Sequence, residues 1–243
     1  MSATRRDADL NREDLANART VDLAHLETLA GVALILGGLL MAVASLTSVG
    51  AARSWDVADA FAAESTRALH RAGMLAGVLG LAVVLAASPT LVARTVGTPP
   101  LKWIAAGWIG FAVGTTLFAM ALGLAAIMMP ALGELARTGA VSPQQVADEL
   151  TRQPAILAAF LGGNLAFLSW LPIGVGLART PGLPPWLGWI VALTALIAWL
   201  SFLHVPPFER VGSPLWPVAL ALLGVFVLRS AGLSATAPAS RAP

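Results

Sequence analysis

Polar and apolar residues in this chain are segregated on the scale of whole helices. Six stretches carry no Asp, Glu, Lys or Arg: Thr28–Ala52, Ala72–Ala93, Trp103–Gly133, Gln153–Ala178, Thr180–Phe208 and Val211–Leu228. A hydrocarbon core about 30 Å thick takes roughly 20 apolar residues per helix, and each stretch supplies most or all of that. The pattern predicts an all-α, polytopic transmembrane bundle of six spans. They are placed near Leu29–Val49, His70–Val92, Trp103–Met129, Ala155–Leu177, Trp186–His204 and Leu215–Arg229. Trp103, Trp186 and Trp216 each open a span, where an amphipathic indole suits the headgroup level. Pro130 and Pro154 mark span ends, and Pro172 with Gly174 and Gly176 predicts a kink in the fourth span.

Two short interfacial helices are expected between spans. In Ser54–Arg71, Trp55, Ala58, Phe61, Ala62 and Leu69 recur at helical spacing with the charges elsewhere, as in a helix lying along a membrane surface. In the other, Ser142 is an N-cap, Pro143 the first helical residue and Gln145 the capping-box partner of a helix over Pro143–Arg152. Both read as lids on the bundle, or as covers of an outward-facing pocket. The domain layout is a polar tail over 1–26, the bundle over 27–231 and a disordered tail over 232–243.

Composition narrows the function classes. Of 243 residues 57% are hydrophobic and 12% charged, against about 25% charged in a soluble domain. A net charge of +2 gives no nucleic-acid reading. The absence of cysteine excludes disulfides, thiolate metal sites and a Cys nucleophile. The N-terminal tail is polar and mixed in charge, and the first apolar run is too long for a signal peptide, so a retained first span is expected. Basic residues divide nine to six in favour of the side holding both termini and the two short turns. By the positive-inside rule that side is cytoplasmic.

The two short turns are nearly one sequence. Ala93-Arg94-Thr95-Val96-Gly97-Thr98-Pro99-Pro100 recurs as Ala178-Arg179-Thr180-Pro181-Gly182-Leu183-Pro184-Pro185 at an offset of 85, with six of eight positions matching. Arg anchors a helix end at the headgroups, Gly makes the turn and the Pro pair starts the next helix. Duplication of a two-helix hairpin and convergence on one turn both explain the match. Parallel repeats of this kind occur in some transporters. The layout, the turn at Leu177–Trp189 and the Pro214-Leu215-Trp216-Pro217 opening resemble a broad family of uncharacterised six-helix bacterial integral membrane proteins. The resemblance implies a plasma-membrane bundle and carries over no catalytic residues.

Candidate chemistry is sparse. No ionisable residue lies mid-span, which argues against proton or cation relays, and no span holds a Lys for a Schiff base. No cofactor is predicted. His70 and His204, both expected near the outer surface, are the pair that could hold haem or a divalent metal. Catalysis is not expected, although His70, Arg71 and Glu64 could act at the outer rim. Asn164, Ser169, Thr115 and Thr116 are the candidate ligand contacts within spans. A mid-span carboxamide must find a partner, so Asn164 either bonds across helices or meets a ligand. The small-residue faces Gly73/Gly77, Ala76/Gly80 and Gly110/Gly114 predict helix contacts. The leading functional reading is a membrane protein that binds a hydrophobic or neutral small ligand or a partner subunit. A facilitative transporter built on the hairpin and a haem or metal redox protein are the alternatives. Expected partners are membrane lipids and a second copy or complex subunit.

Overall fold

The computed structural model describes residues 3–48, 68–142, 145, 154–203, 205, 208 and 212–236. Those residues form seven α-helices: α1 (Ala3–Ser48), α2 (Ala68–Arg94), α3 (Leu101–Arg137), α4 (Pro154–Leu168), α5 (Trp170–Leu177), α6 (Pro185–Phe202) and α7 (Gly212–Thr236). Six segments are long and apolar enough to cross a membrane, with α4 and α5 together supplying one of them. The fold is an all-α bundle, as the charge-free stretches predict. The expected interfacial helices over 54–71 and 143–152 fall largely outside the described residues. The capping box is formed all the same, with Ser142 N–H donating to Gln145 Oε1 at 2.9 Å and Gln145 N–H to Ser142 Oγ at 3.2 Å.

Three boundaries differ from the sequence expectation. The first span continues backward as one helix to Ala3, so the polar segment before it is helical. The last runs on to Thr236. The third passes through Pro130 without stopping. Ending a helix inside an apolar run would strip several backbone groups of partners where water is absent, whereas one proline removes a single N–H. The helix stops instead at Gly139, whose φ is +72°. There Gly139 N–H bonds Ala136 O at 3.1 Å and Ala140 N–H bonds Leu135 O at 3.0 Å, the paired bonds of a Schellman cap.

Other prolines are accommodated locally. Pro89 cannot serve the Leu85 carbonyl one turn back, and the Ser88 hydroxyl donates to it instead at 2.7 Å. Pro172 leaves the Leu168 carbonyl without its usual donor, and the fourth span breaks there into α4 and α5 at Ser169. The predicted kink is therefore present. Gly174 and Gly176 beside it serve close packing, against Gly188 and Ile104.

Each span packs on the next, and α7 returns to α1, so the six spans close a ring. Four of the six interfaces contain a reciprocal glycine approach, in which a Cβ on either residue would meet the other's carbonyl below 3 Å. The pairs are Gly31/Gly224, Gly37/Gly80, Gly114/Gly162 and Gly174/Gly188. They seal α7–α1–α2 into one triplet and α3–α4/α5–α6 into another. The seams between triplets, α2/α3 and α6/α7, show no such pair among the described residues. Side chains of both triplets fill the centre, where Trp170, Trp216, Phe111, Leu34, Val84 and Leu187 are fully enclosed.

The two near-identical turns share one backbone path. Gly97 and Gly182 both sit at φ +79°. Thr98 N–H bonds Thr95 O at 3.0 Å, and Leu183 N–H bonds Thr180 O at 3.3 Å. This is the type II pattern with Gly at the third corner position. Each Thr hydroxyl ties back to the preceding helix, Thr95 to Val92 O and Thr180 to Gly176 O, both at 2.9 Å. A third Arg-hydroxyl-x-Gly run, Arg229-Ser230-Ala231-Gly232, lies near the end of α7, where Ser230 Oγ donates to Val227 O at 2.8 Å. There the chain stays helical, and α1 occupies the place beside α7 that α3 and α6 occupy beside the spans before them.

Candidate functional site

The ring encloses a column of aromatic side chains. Phe111 meets Trp170 edge-on at 5.2 Å between centroids, Trp170 meets Trp216 at 5.8 Å, and Trp216 meets Phe167 at 5.1 Å. Phe167, Phe118 and Phe202 continue it, with centroids 5.7–6.2 Å apart. On α3, Trp108, Phe111, Thr115 and Phe118 follow one another three or four residues apart and so share a stripe. Trp216 comes from one triplet and the other rings from the second, so the column bridges the two bodies. Trp216 was expected at the headgroups. Only 1% of it is exposed, because the seam offers its indole five- to six-ångström ring contacts that lipid headgroups do not.

Polar atoms in and beside this column lack partners among the described residues. The indole N–H groups of Trp108, Trp170 and Trp216 and the hydroxyl of Thr115 are buried there with no hydrogen bond. Each such group costs about 1–3 kcal/mol when desolvated and unmet. A neighbouring π face is only a second-order acceptor. Three donor-only groups and one hydroxyl are thus enclosed in the apolar interior, a set that suits oxygen acceptors on a neutral, largely hydrophobic molecule. The sequence signal for two of them was the α3 stripe with Trp108 and the position of Trp170 inside its span, a poor fit to the usual interfacial preference of Trp, whereas Trp216 at the start of a span carried none.

The candidate ligand residues do not gather into one site. Asn164 is spent on helix contacts, its Nδ2 donating to Phe160 O and its Oδ1 accepting from Trp199 Nε1, both at 2.7 Å. Ser169 donates back to Leu165 O and packs beside Gly110. Thr116 is exposed on the outside of α3 and donates to Ala112 O. Thr115 alone faces the column. His70 is buried at the start of α2, while His204, like Glu64, lies outside the described residues. No group of three or more His, Cys, Asp or Glu able to hold a metal occurs among the described residues.

At the end of the bundle that carries the turns, Arg94 is folded inward. Its Nη1 lies 3.4 Å from Glu27 Oε1 and donates to Ser230 Oγ at 2.7 Å. Side-chain exposure is 14% for Arg94 and 9% for Glu27. This joins α1, α2 and α7 at one point and corrects the headgroup role expected of Arg94. Arg179, its counterpart, is exposed, with its guanidinium 5.8 Å from the centre of the Trp103 ring.

No family model, no curated protein and no solved structure matches this chain.

Proposed function

We propose that the protein is a membrane-embedded receptor for a neutral, hydrophobic small molecule that carries oxygen acceptors, held in the aromatic column. The observation that carries this reading is the set of unmet N–H groups on Trp108, Trp170 and Trp216, with the Thr115 hydroxyl beside them. Donors of this kind are tolerated in an apolar interior where an acceptor arrives with the ligand. The expected setting is the bacterial plasma membrane with both termini cytoplasmic, supported by the excess of basic residues on that side.

Trp→Phe substitution tests the reading, because it keeps a ring and removes the donor. The purified wild-type protein should retain a neutral species detectable by mass spectrometry of an organic extract. The triple variant Trp108→Phe/Trp170→Phe/Trp216→Phe should lose it while melting, once stripped, no lower than stripped wild type. A wild type that retains nothing, or a stripped triple variant that melts well below it, rejects the proposal.

A facilitative transporter is the second reading, favoured by the division into two glycine-sealed triplets. The column bridges these two bodies, and alternating access in transporters commonly moves one helix bundle against another around such a central site. Efflux of the retained species from proteoliposomes, slowed by a cross-link across the α6/α7 seam, separates transport from static binding.

A further inference from the structure

A groove of about 510 Å³ opens between the two turns, independent of the aromatic column. Its walls are Thr98, Pro99 and Pro100 from the first turn, Pro181 from the second, and Trp103 at the start of α3. Lys102 and Arg179 stand at its rim. Both cations approach the same indole, Lys102 Nζ at 5.9 Å and Arg179 Cζ at 5.8 Å from the Trp103 centroid. No acid is among the described residues that line the groove. Glu27, enclosed at this end of the bundle, is already paired with Arg94.

We infer that this groove binds the phosphate of an anionic phospholipid. Two like charges drawn to one ring repel each other, and an anion seated between them removes that repulsion. The proline and indole walls are apolar, which fits the glycerol and upper acyl region of an amphiphile better than a freely hydrated ion. The groove also lies where α3 begins, at the level where a spanning helix meets headgroups. A related arrangement recurs at the end of α7, where Arg229 stands 5.8 Å from the Phe226 ring and Trp186 packs edge-on against that ring. Basic pockets between spans are a recognised way of holding acidic headgroups. The two turns thereby become a lipid-reading face of the bundle.

Native mass spectrometry of the full-length protein, supplied with equal phosphatidylglycerol and phosphatidylcholine, tests this. Wild type should retain phosphatidylglycerol preferentially. In Lys102→Gln/Arg179→Gln its affinity should fall by about tenfold to thirtyfold, from the loss of two surface cations. Arg137→Gln, which removes an arginine paired with Glu134 at the far end of α3, should leave the preference intact. An unchanged melting temperature shows that the double variant is folded. Equal retention of the two lipids, or a double variant that keeps the preference, overturns the proposal. Inorganic phosphate that displaces phosphatidylglycerol at millimolar concentration would assign the groove to a soluble phosphate and overturn the lipid.

Discussion

Arg94 and Arg179 hold the same place in turns that follow the same backbone path, and their surroundings differ. Arg94 is enclosed by α1, α7 and the second turn, with a carboxylate and a hydroxyl to meet it. Arg179 lies over an exposed indole and is itself exposed. The turn motif therefore specifies how the chain reverses, and the neighbouring helices decide what its arginine does. Glu27 and Ser230 are present beside the first turn because α7 closes the ring against α1. Beside the second turn stands α3, which offers Trp103 and Lys102 and no acid.

The largest test of that contrast is removal of each arginine in turn. Arg94→Ala leaves Glu27 enclosed and unpaired, and should cost about 3–5 kcal/mol. Arg179→Ala should cost under about 1 kcal/mol, as for other exposed charges. Chemical unfolding in a defined micelle measures both, and equal losses would erase the distinction. Replacing Glu27 and Arg94 together by Leu and Met should recover most of the first loss, since an apolar pair of similar volume often matches a buried ion pair.

A smaller effect is expected at the glycines. Both have φ +79°, so alanine is strained by about 1–2 kcal/mol at either. A Cβ at Gly97 meets nothing within 4 Å, whereas at Gly182 it comes to 3.2 Å from Arg94 Nη2. Gly182→Ala should therefore unfold somewhat more easily than Gly97→Ala, and should lose that excess when Arg94 is already Ala. An excess that survives in the Arg94→Ala background would show that the second turn does not brace the arginine.

The smallest effect concerns the second turn alone. Trp103→Leu should leave stability within about 1 kcal/mol of wild type, because cation–π contacts at exposed positions are weak. It should also weaken phosphatidylglycerol retention. A large stability loss would place Trp103 among structural anchors with Arg94.

The six spans were legible because exclusion of charge from hydrocarbon is a property of each segment by itself. The break near Pro172 and the Ser142/Gln145 box were legible for the same reason, being local. The candidate site was not. Asn164 has its partner on a helix that sequence spacing does not place beside it, and Trp199 carried no sign of pairing with it. Trp216 stood at the start of a span, where indoles favour the interface, and only the closure of the ring turns it inward. Arg94 and Glu27 both lie outside the charge-free stretches, so nothing local separates a buried pair from two solvated ends. Pro130 misled because the local rule for proline ignores the cost of freeing a helix end in lipid.

The ring closure also sets an order of events during synthesis. The first span leaves the ribosome with a face built for two neighbours, and the α2 side, with Gly37 against Gly80 and Glu27 against Arg94, can be satisfied early. The other side, Gly31 and Gly38 against α7, waits until every other span has been inserted. A nascent chain stalled before α7 thus carries an unfilled groove along α1, lined by Gly31 and Gly38.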